Sequence, residues 1–170
     1  MRSSHGRRGQ SLLEFTLVGI PLIFVLISIF EIARGMWMYH TLAYAVKEAT
    51  RLAIVKGRDY INTGGTVVTV ARIVQEIGPR GAGVGLDPSE LNVTLSSEGA
   101  ADIPCNPITT CAANAAQWPT PGSNGRNRRV SIEASFPFRS ALAMFWPGGG
   151  PAQVFGVKWF RAYSQDLIQF

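Results

Sequence analysis

Apolar residues near the N-terminus form a run that is long enough to cross a membrane. Residues 12–30 contain no Lys or Arg and are polar at only three positions. At 1.5 Å of rise per residue, a helix of this length spans roughly 28 Å, close to the thickness of the hydrocarbon core of a bilayer. The pattern therefore predicts a membrane-spanning helix, whose polar residues are Glu14, Thr16 and Ser28.

The helical pattern continues beyond this run. Residues of one mostly apolar face recur at alternating steps of four and three, as in an amphipathic helix. Pro21 is expected to bend the first half, and Gly57 followed by Arg58-Asp59 is expected to end the helix. One helix over residues 11–56 is therefore predicted, whose outer half buries Ile32, Met36, Tyr39, Ala43, Val46, Thr50 and Ala53.

Three aromatic residues come after the apolar run, namely Trp37, Tyr39 and Tyr44. Aromatic side chains are enriched at the membrane surface, so these positions suit an aromatic belt. Packing inside a domain outside the membrane would suit them equally.

The remaining two-thirds of the chain predicts a second short helix and a small antiparallel sheet. Residues 66–77 have the helical period, and Gly78-Pro79 is expected to end that helix. Alternation predicts strands at residues 91–96 and 130–138. A third strand is predicted at residues 154–163, with Phe155, Val157, Trp159 and Tyr163 on one face and Lys158 on the other.

The resulting fold class is α+β, in which the long N-terminal helix packs on the small antiparallel sheet beside the second short helix. Residues 105–125 and 147–151 have the composition of loops. Cys105 and Cys111 lie in the first of these loops at a spacing that suits neither a CxxC redox motif nor a zinc site. A structural disulfide is favoured over two free thiols, and it requires an oxidising compartment.

The basic character of the chain belongs largely to its first residues. The formal net charge is +5, and Arg2, Arg7 and Arg8 supply three of these positive charges before residue 10. Positive residues are retained on the cytoplasmic side of a membrane helix, so the N-terminus is expected in the cytoplasm and the bulk of the chain outside.

Glu14 distinguishes the possible interpretations of the apolar run. A secretory signal peptide, a generic membrane anchor and a buried core helix all contain such runs. An ionised carboxylate inside a membrane is costly and indicates a function, and neither a signal peptide nor a generic anchor explains it. A free α-amino group created by cleavage after Gly9 would supply a cationic partner, from a neighbouring copy in an assembly.

The residues around Glu14 resemble a known processing signal. Residues 7–15 read Arg-Arg-Gly-Gln-Ser-Leu-Leu-Glu-Phe, similar to a type IV prepilin site, in which a Gly precedes the scissile bond and a Glu is the fifth residue after it. More closely, residues 8–18, Pro21-Leu22 and residues 30–34 resemble the TadE-like minor pseudopilins of the tight-adherence (Tad) pilus. Residues 45–53 resemble the alanine- and arginine-rich helical segment that comes next in that family.

The resemblance, which covers about residues 7–54, implies a minor pseudopilin that takes part in assembling a Tad/Flp-type pilus. It implies cleavage between Gly9 and Gln10 by the prepilin peptidase, and a role for Glu14 and Phe15 in assembly, where Glu14 neutralises the new N-terminus of a neighbour. The implied organisation is a leader over residues 1–9, a transmembrane and pilin-like helix over residues 10–57, and a small α+β domain over residues 58–170. The protein would be a single-pass inner-membrane protein with a periplasmic C-terminal domain, or part of the extracellular pilus.

Other functions have weaker support in the sequence. Neither His5 nor His40 falls in the expected outer domain, so a His-dependent nucleophile is not expected there, and no metal or cofactor is expected. Arg126, Arg128 and Arg129 are interpreted as a solvated strand edge rather than a nucleic-acid site. The alternative function is a membrane-anchored periplasmic binding or scaffold module that is not assembled into a filament.

Overall fold

A computed structural model describes residues 6–140 and 158–169. The predicted loop at 147–151, the first four residues of the predicted strand at 154–163, and the leader residues 1–5 lie outside these described residues. Helix α1 is Gly6–Val55, α2 is Arg58–Asn62 and α3 is Val70–Ala82. The strands are β1 Asn92–Ser97, β2 Ile103–Cys105, β3 Arg129–Phe138 and β4 Lys158–Leu167, and a short 3-10 turn forms at Ile108–Cys111.

The four strands form one antiparallel sheet in the order β2-β1-β3-β4. Its register places Val93 opposite both Cys105 and Ala134, and Ala134 opposite Ala162. A long apolar helix, a small antiparallel sheet and short helices confirm the predicted α+β class.

The chain divides into two compact units. One unit contains Met1–Gly35 and Ser140–Gly156, and the other, named the outer unit, contains Met36–Arg139 and Val157–Phe170. The predicted domain boundaries after residues 9 and 57 stay predictions.

The core of the outer unit lies between helix faces and one face of the sheet. The helices contribute apolar side chains at helical spacing, and the strands contribute every second residue. Trp118, which is 1% exposed, is the largest buried side chain. The buried residues of α1 here are Met38, Leu42, Ala45, Val46, Ala49, Thr50, Ala53 and Ile54.

The predicted inward face of α1 is right in its second half and wrong in its first. Val46, Thr50 and Ala53 are buried, whereas Ile32 and Met36 are more than half exposed. Apolar residues surround the helix on all sides near residues 32–46, so periodicity alone does not identify the packed face. The packing is made by Met38, Leu42, Ala45 and Ala49 instead.

Two predicted helix limits also need correction. The second helix begins later, after Thr69, whose hydroxyl accepts a hydrogen bond from Arg72 N at 3.2 Å and caps the helix. It continues through Pro79 to Ala82. After the proline, Gly81 is buried against Leu86, and an added Cβ at Gly81 would lie 3.2 Å from the Leu86 side chain. This packing stabilises the helical turn that follows Pro79.

The third strand begins at Lys158, later than predicted, and it has Trp159 and Tyr163 on one face and Lys158 on the other, as predicted. Phe160 lies opposite Phe136 and Ala162 opposite Ala134, and opposite residues of an antiparallel pair share a face. The even-numbered side chains of β4 are therefore turned to the core side. Trp159 and Tyr163 lie on the outer face, 51% and 61% exposed.

Candidate functional site

The N-terminal half of α1 exposes its apolar side chains, and this segment is the candidate functional site. Transfer of such side chains from water to an apolar environment is favoured by about 1.5–3 kcal/mol each. A contiguous exposed surface of this kind marks a membrane or protein contact. The exposed large residues of the run are Leu12, Leu13, Phe15, Leu17, Val18, Ile20, Leu22, Ile23, Phe24, Val25, Leu26, Ile29 and Phe30.

Two hydroxyl groups within the run are satisfied by the helix itself. Thr16 Oγ1 donates to the carbonyl oxygen of Leu12 at 2.7 Å, and Ser28 Oγ donates to that of Phe24 at 2.8 Å. Lipid offers no hydrogen-bond partner, so a polar group in a bilayer must be satisfied internally. Both hydroxyls are therefore compatible with a lipid environment.

Glu14 has a neighbour on its own helix that the sequence motif does not assign to it. Gln10 Nε2 donates to Glu14 Oε1 at 3.4 Å, across one turn of the helix. Their i, i+4 spacing on a helix is the feature of the sequence from which this contact could have been predicted. Among the side chains that the structure describes, Gln10 is the only one bonded to Glu14, which is exposed.

The other predicted site residues are only partly brought together. Gly9 lies within α1 by its backbone, and Phe15, adjacent to Glu14, is 79% exposed. The structure does not describe a second chain or a free N-terminus. The cleavage role of Gly9 and Gln10 and the assembly role of Glu14 and Phe15 stay predictions.

Two ion pairs lie beyond the apolar run on the same helix. Glu31 and Arg34 lie 3.1 Å apart, and Glu48 and Arg51 also lie 3.1 Å apart. Each pair joins residues on adjacent turns. The charges that limit the apolar run are thus paired within the helix.

A disulfide joins Cys105 and Cys111, whose Cα atoms are 5.5 Å apart. Cys105 is the last residue of edge strand β2, although its composition had predicted a loop, and Cys111 ends the 3-10 turn. Both are buried in the core. The bond therefore fastens the segment after β2 to the edge of the sheet.

Titratable groups show no arrangement typical of a catalytic site in the described part of the chain. No group of three or more His, Cys, Asp or Glu residues that could hold a metal ion occurs within residues 6–140 and 158–169. The backbone N–H of Ser89, followed by its hydroxyl, holds the pKa of Asp87 below its ordinary value. The backbone N–H of Arg129, followed by the guanidinium of Arg128, does the same for the pKa of Glu98. Both shifts arise from local turns and strand ends.

One helix in the described residues is long and apolar enough to cross a membrane. It is Leu12–Val55, which contains a window of mean hydropathy 2.4. None of that window is buried inside the protein, unlike the core helix of a soluble domain. This fits a single-pass membrane protein.

Comparison with known proteins gives one match. Residues 9–51, about a quarter of the chain, match the family model described as TadE-like protein. No curated protein and no solved structure matches the chain. The match begins at Gly9 and includes Glu14, the apolar run and both ion pairs of α1, and it supports the assignment of this chain as a TadE-like protein of the Tad pilus system.

Proposed function

We propose that this chain is a minor pseudopilin that takes part in the assembly or structure of a Tad/Flp-type pilus. The observation that carries the proposal is the family match beginning at Gly9, because the matched residues start beside the proposed scissile bond and include the apolar helix after it. In this proposal the exposed apolar side chains of α1 contact lipid before assembly and neighbouring pilin helices after assembly.

The first step is removal of residues 1–9 by the prepilin peptidase. This peptidase supplies the catalysis, and the chain is its substrate rather than an enzyme. Arg7 and Arg8 precede the scissile bond and hold it at the cytoplasmic surface, since positive residues are not translocated. The outer unit then lies in the periplasm, where the Cys105–Cys111 disulfide is stable.

Cleavage gives Gln10 a free α-amino group next to an apolar helix. An unpaired charge in an apolar environment costs several kcal/mol. Glu14 of one copy pairs with the amine of another when the helices pack side by side, so both charges are compensated in the assembly. The exposed Glu14 carboxylate is available for this exchange of partner, since among the side chains that the structure describes the Gln10 amide alone bonds to it.

The partners implied by this function are the prepilin peptidase, other pilins or pseudopilins with their assembly machinery, and the inner membrane. Nucleic acid is not among them. Arg128 forms an ion pair with Glu98 at 3.1 Å, which supports a structural role for one of the three clustered arginines.

N-terminal sequencing of the mature protein tests the processing step. We expect the sequence to start at Gln10 in cells that contain the peptidase, and residues 1–9 to be retained in cells that lack it. Gly9→Val should block cleavage, because a β-branched side chain replaces hydrogen beside the scissile bond. Gly6→Val is the matched control in the same leader and should be processed normally.

The same experiment separates the alternative function. An anchored periplasmic module that is never assembled would keep residues 1–9, and Gly9→Val would change neither its size nor its location. A mature start at any residue other than Gln10 would also contradict the proposal.

A further inference from the structure

One end of the outer unit is identified by the path of strand β4 along helix α1. Near the start of β4, the Phe160 ring meets the Tyr39 ring edge to face with centroids 6.2 Å apart. Just beyond its end, Gln169 N donates to Ile54 O at 3.1 Å. The start of β4 therefore lies beside the first residues of α1 in this unit, and we name this the proximal end.

The proximal end is held in place by packed rings. Phe138, the last residue of β3, lies opposite Lys158, and its ring stacks on Phe160 with centroids 4.9 Å apart. Phe138 and Phe160 are partly buried, and with the more exposed Tyr39 their rings form a cluster between the helix and the two strands. The positions of their neighbours Trp37, Lys158 and Trp159 are thereby fixed.

Those neighbours are exposed. Trp37 is 68% exposed and Trp159 is 51% exposed, whereas Trp118 in the core is 1% exposed. Lys158 is also exposed, and it forms no ion pair with any side chain that the structure describes. Two exposed indoles and a cation thus share one end of the unit.

We propose that Trp37, Trp159 and Lys158 rest in the headgroup layer of an anionic phospholipid bilayer. Indole rings favour this layer because one edge is apolar and the N–H needs a polar partner. A lysine near an anionic surface adds about 1 kcal/mol of attraction. Lipid is favoured over a protein partner because Trp37 lies on the same helix as the apolar run, seven residues beyond its last residue, Phe30.

This inference rests on the proposed membrane span of α1 and adds a second contact from a strand far along the chain. The consequence is a fixed orientation of the outer unit on the membrane before assembly. A helix alone would leave the unit free to tilt, whereas contacts from both α1 and β4 define one resting orientation.

Quenching of tryptophan fluorescence by lipids brominated near the headgroup tests the contact. The full chain is reconstituted at low protein density in vesicles of phosphatidylcholine and phosphatidylglycerol, with Trp37→Phe and Trp146→Phe. The remaining reporters are Trp159 and the buried Trp118, whose constant signal is measured with Trp159→Phe. We expect headgroup-proximal bromine to quench Trp159, and acrylamide to quench it about twofold less than an aqueous tryptophan.

A matched reporter lies on the same face of the same strand. Tyr163→Trp, combined with Trp159→Phe, moves the indole four residues away from the proximal end, roughly 13 Å along the strand. It should be quenched by acrylamide and not by brominated lipid. Equal bromine quenching at both positions, or bromine quenching at neither, overturns the proposal. Protection of Trp159 from acrylamide without bromine quenching also overturns it, because that result indicates a protein contact.

A third reporter separates this inference from the membrane span itself. The variant Phe24→Trp also has Trp37, Trp146 and Trp159 changed to Phe. Its new indole should be quenched by lipids brominated near the ends of their acyl chains. If it is quenched while Trp159 is not, the span stands and the headgroup contact is wrong. If it is not quenched, the span itself is wrong.

Charge reversal tests the lysine. Lys158→Glu should reduce bromine quenching of Trp159 in anionic vesicles, since attraction becomes repulsion. Arg126→Glu makes the same kind of change in the exposed loop before β3, at the opposite end of the sheet, and should leave the quenching unchanged. Equal effects of the two variants would contradict the assigned role of Lys158.

Discussion

The amide of Gln10 and the carboxylate of Glu14 form a hydrogen bond of 3.4 Å in the uncleaved chain. In the proposed mechanism the same two residues are the new N-terminus and its counter-charge, contributed by different copies. The contact therefore shows Glu14 held by a neutral partner before processing. A neutral amide compensates a carboxylate less than an ammonium group does, so in the proposed mechanism cleavage supplies the stronger partner.

Glu14→Ala should permit cleavage and prevent incorporation into the pilus. In the proposed mechanism the peptidase acts at the Gly9–Gln10 bond, whereas an N-terminal amine left unpaired in an apolar assembly costs roughly 3–5 kcal/mol. Incorporation is expected to fall by about a hundredfold or more, since each 1.4 kcal/mol is a factor of about ten. The measurement compares the cleaved fraction in membranes with the amount recovered in sheared pili.

Two further variants make this prediction specific. Glu14→Gln keeps the size of the side chain and one acceptor oxygen but removes the charge, and it should fail as Glu14→Ala does. Glu48→Gln removes a carboxylate from the same helix, where the ion pair with Arg51 is on the surface, and should be incorporated normally. Normal incorporation of Glu14→Gln would show that charge neutralisation is not its role.

Leu42 links α1 to the core of the outer unit, since its side chain is fully buried there. Leu42→Ala should lower the free energy of unfolding of that unit by about 2–5 kcal/mol, as large-to-small core substitutions do. Lys47→Ala on the exposed face should change it by less than about 0.5 kcal/mol. Urea unfolding in detergent of the full chain with Trp37, Trp146 and Trp159 changed to Phe, followed by the fluorescence of the buried Trp118, measures both. Similar values would contradict the observed packing.

The sequence predicts the elements whose periodicity is long and regular. The apolar run and the alternation at residues 130–138 give α1 and β3 with little ambiguity, because both signals extend over many residues. The candidate segment at residues 9–15 is recognised by its motif alone. Its hydrogen bond between Gln10 and Glu14 follows from the helical spacing once the helix is assumed.

The faces of elements are harder to predict where apolar residues occur on both sides. The local pattern places Trp159 and Tyr163 on one face of the strand without showing whether that face is the core. The pairing of Ala162 with Ala134 determines that it is the outer face, because a shift of one residue reverses every side chain of a strand. This register depends on contacts with β3, which a local pattern does not contain.

The disulfide should contribute measurably to stability despite the short segment it closes. Cys105 and Cys111 are separated by six positions, for which chain-entropy arguments give about 2 kcal/mol. Cys105→Ala with Cys111→Ala should lower the urea midpoint of the outer unit, and reducing agent should lower that of the unaltered chain similarly. Reducing agent should have no effect on the double variant, and a shift there would indicate another cause.

Acid should remove a contribution that Glu98 makes at neutral pH. Its carboxylate accepts hydrogen bonds from Arg129 N and Arg128 Nη1, both at 3.1 Å, which hold its pKa below the ordinary value. A pKa lower in the folded state means that the stabilisation is present above the unfolded pKa. It is lost as the pH falls through the lowered folded pKa.

Glu98→Gln should therefore be less stable than the unaltered chain at neutral pH, and the difference should shrink in acid. Glu133→Gln removes a carboxylate from the exposed face of the same sheet without removing these two contacts. Urea midpoints measured across the acid range for all three chains test the prediction, which fails if the difference between the Glu98→Gln and unaltered chains is independent of pH.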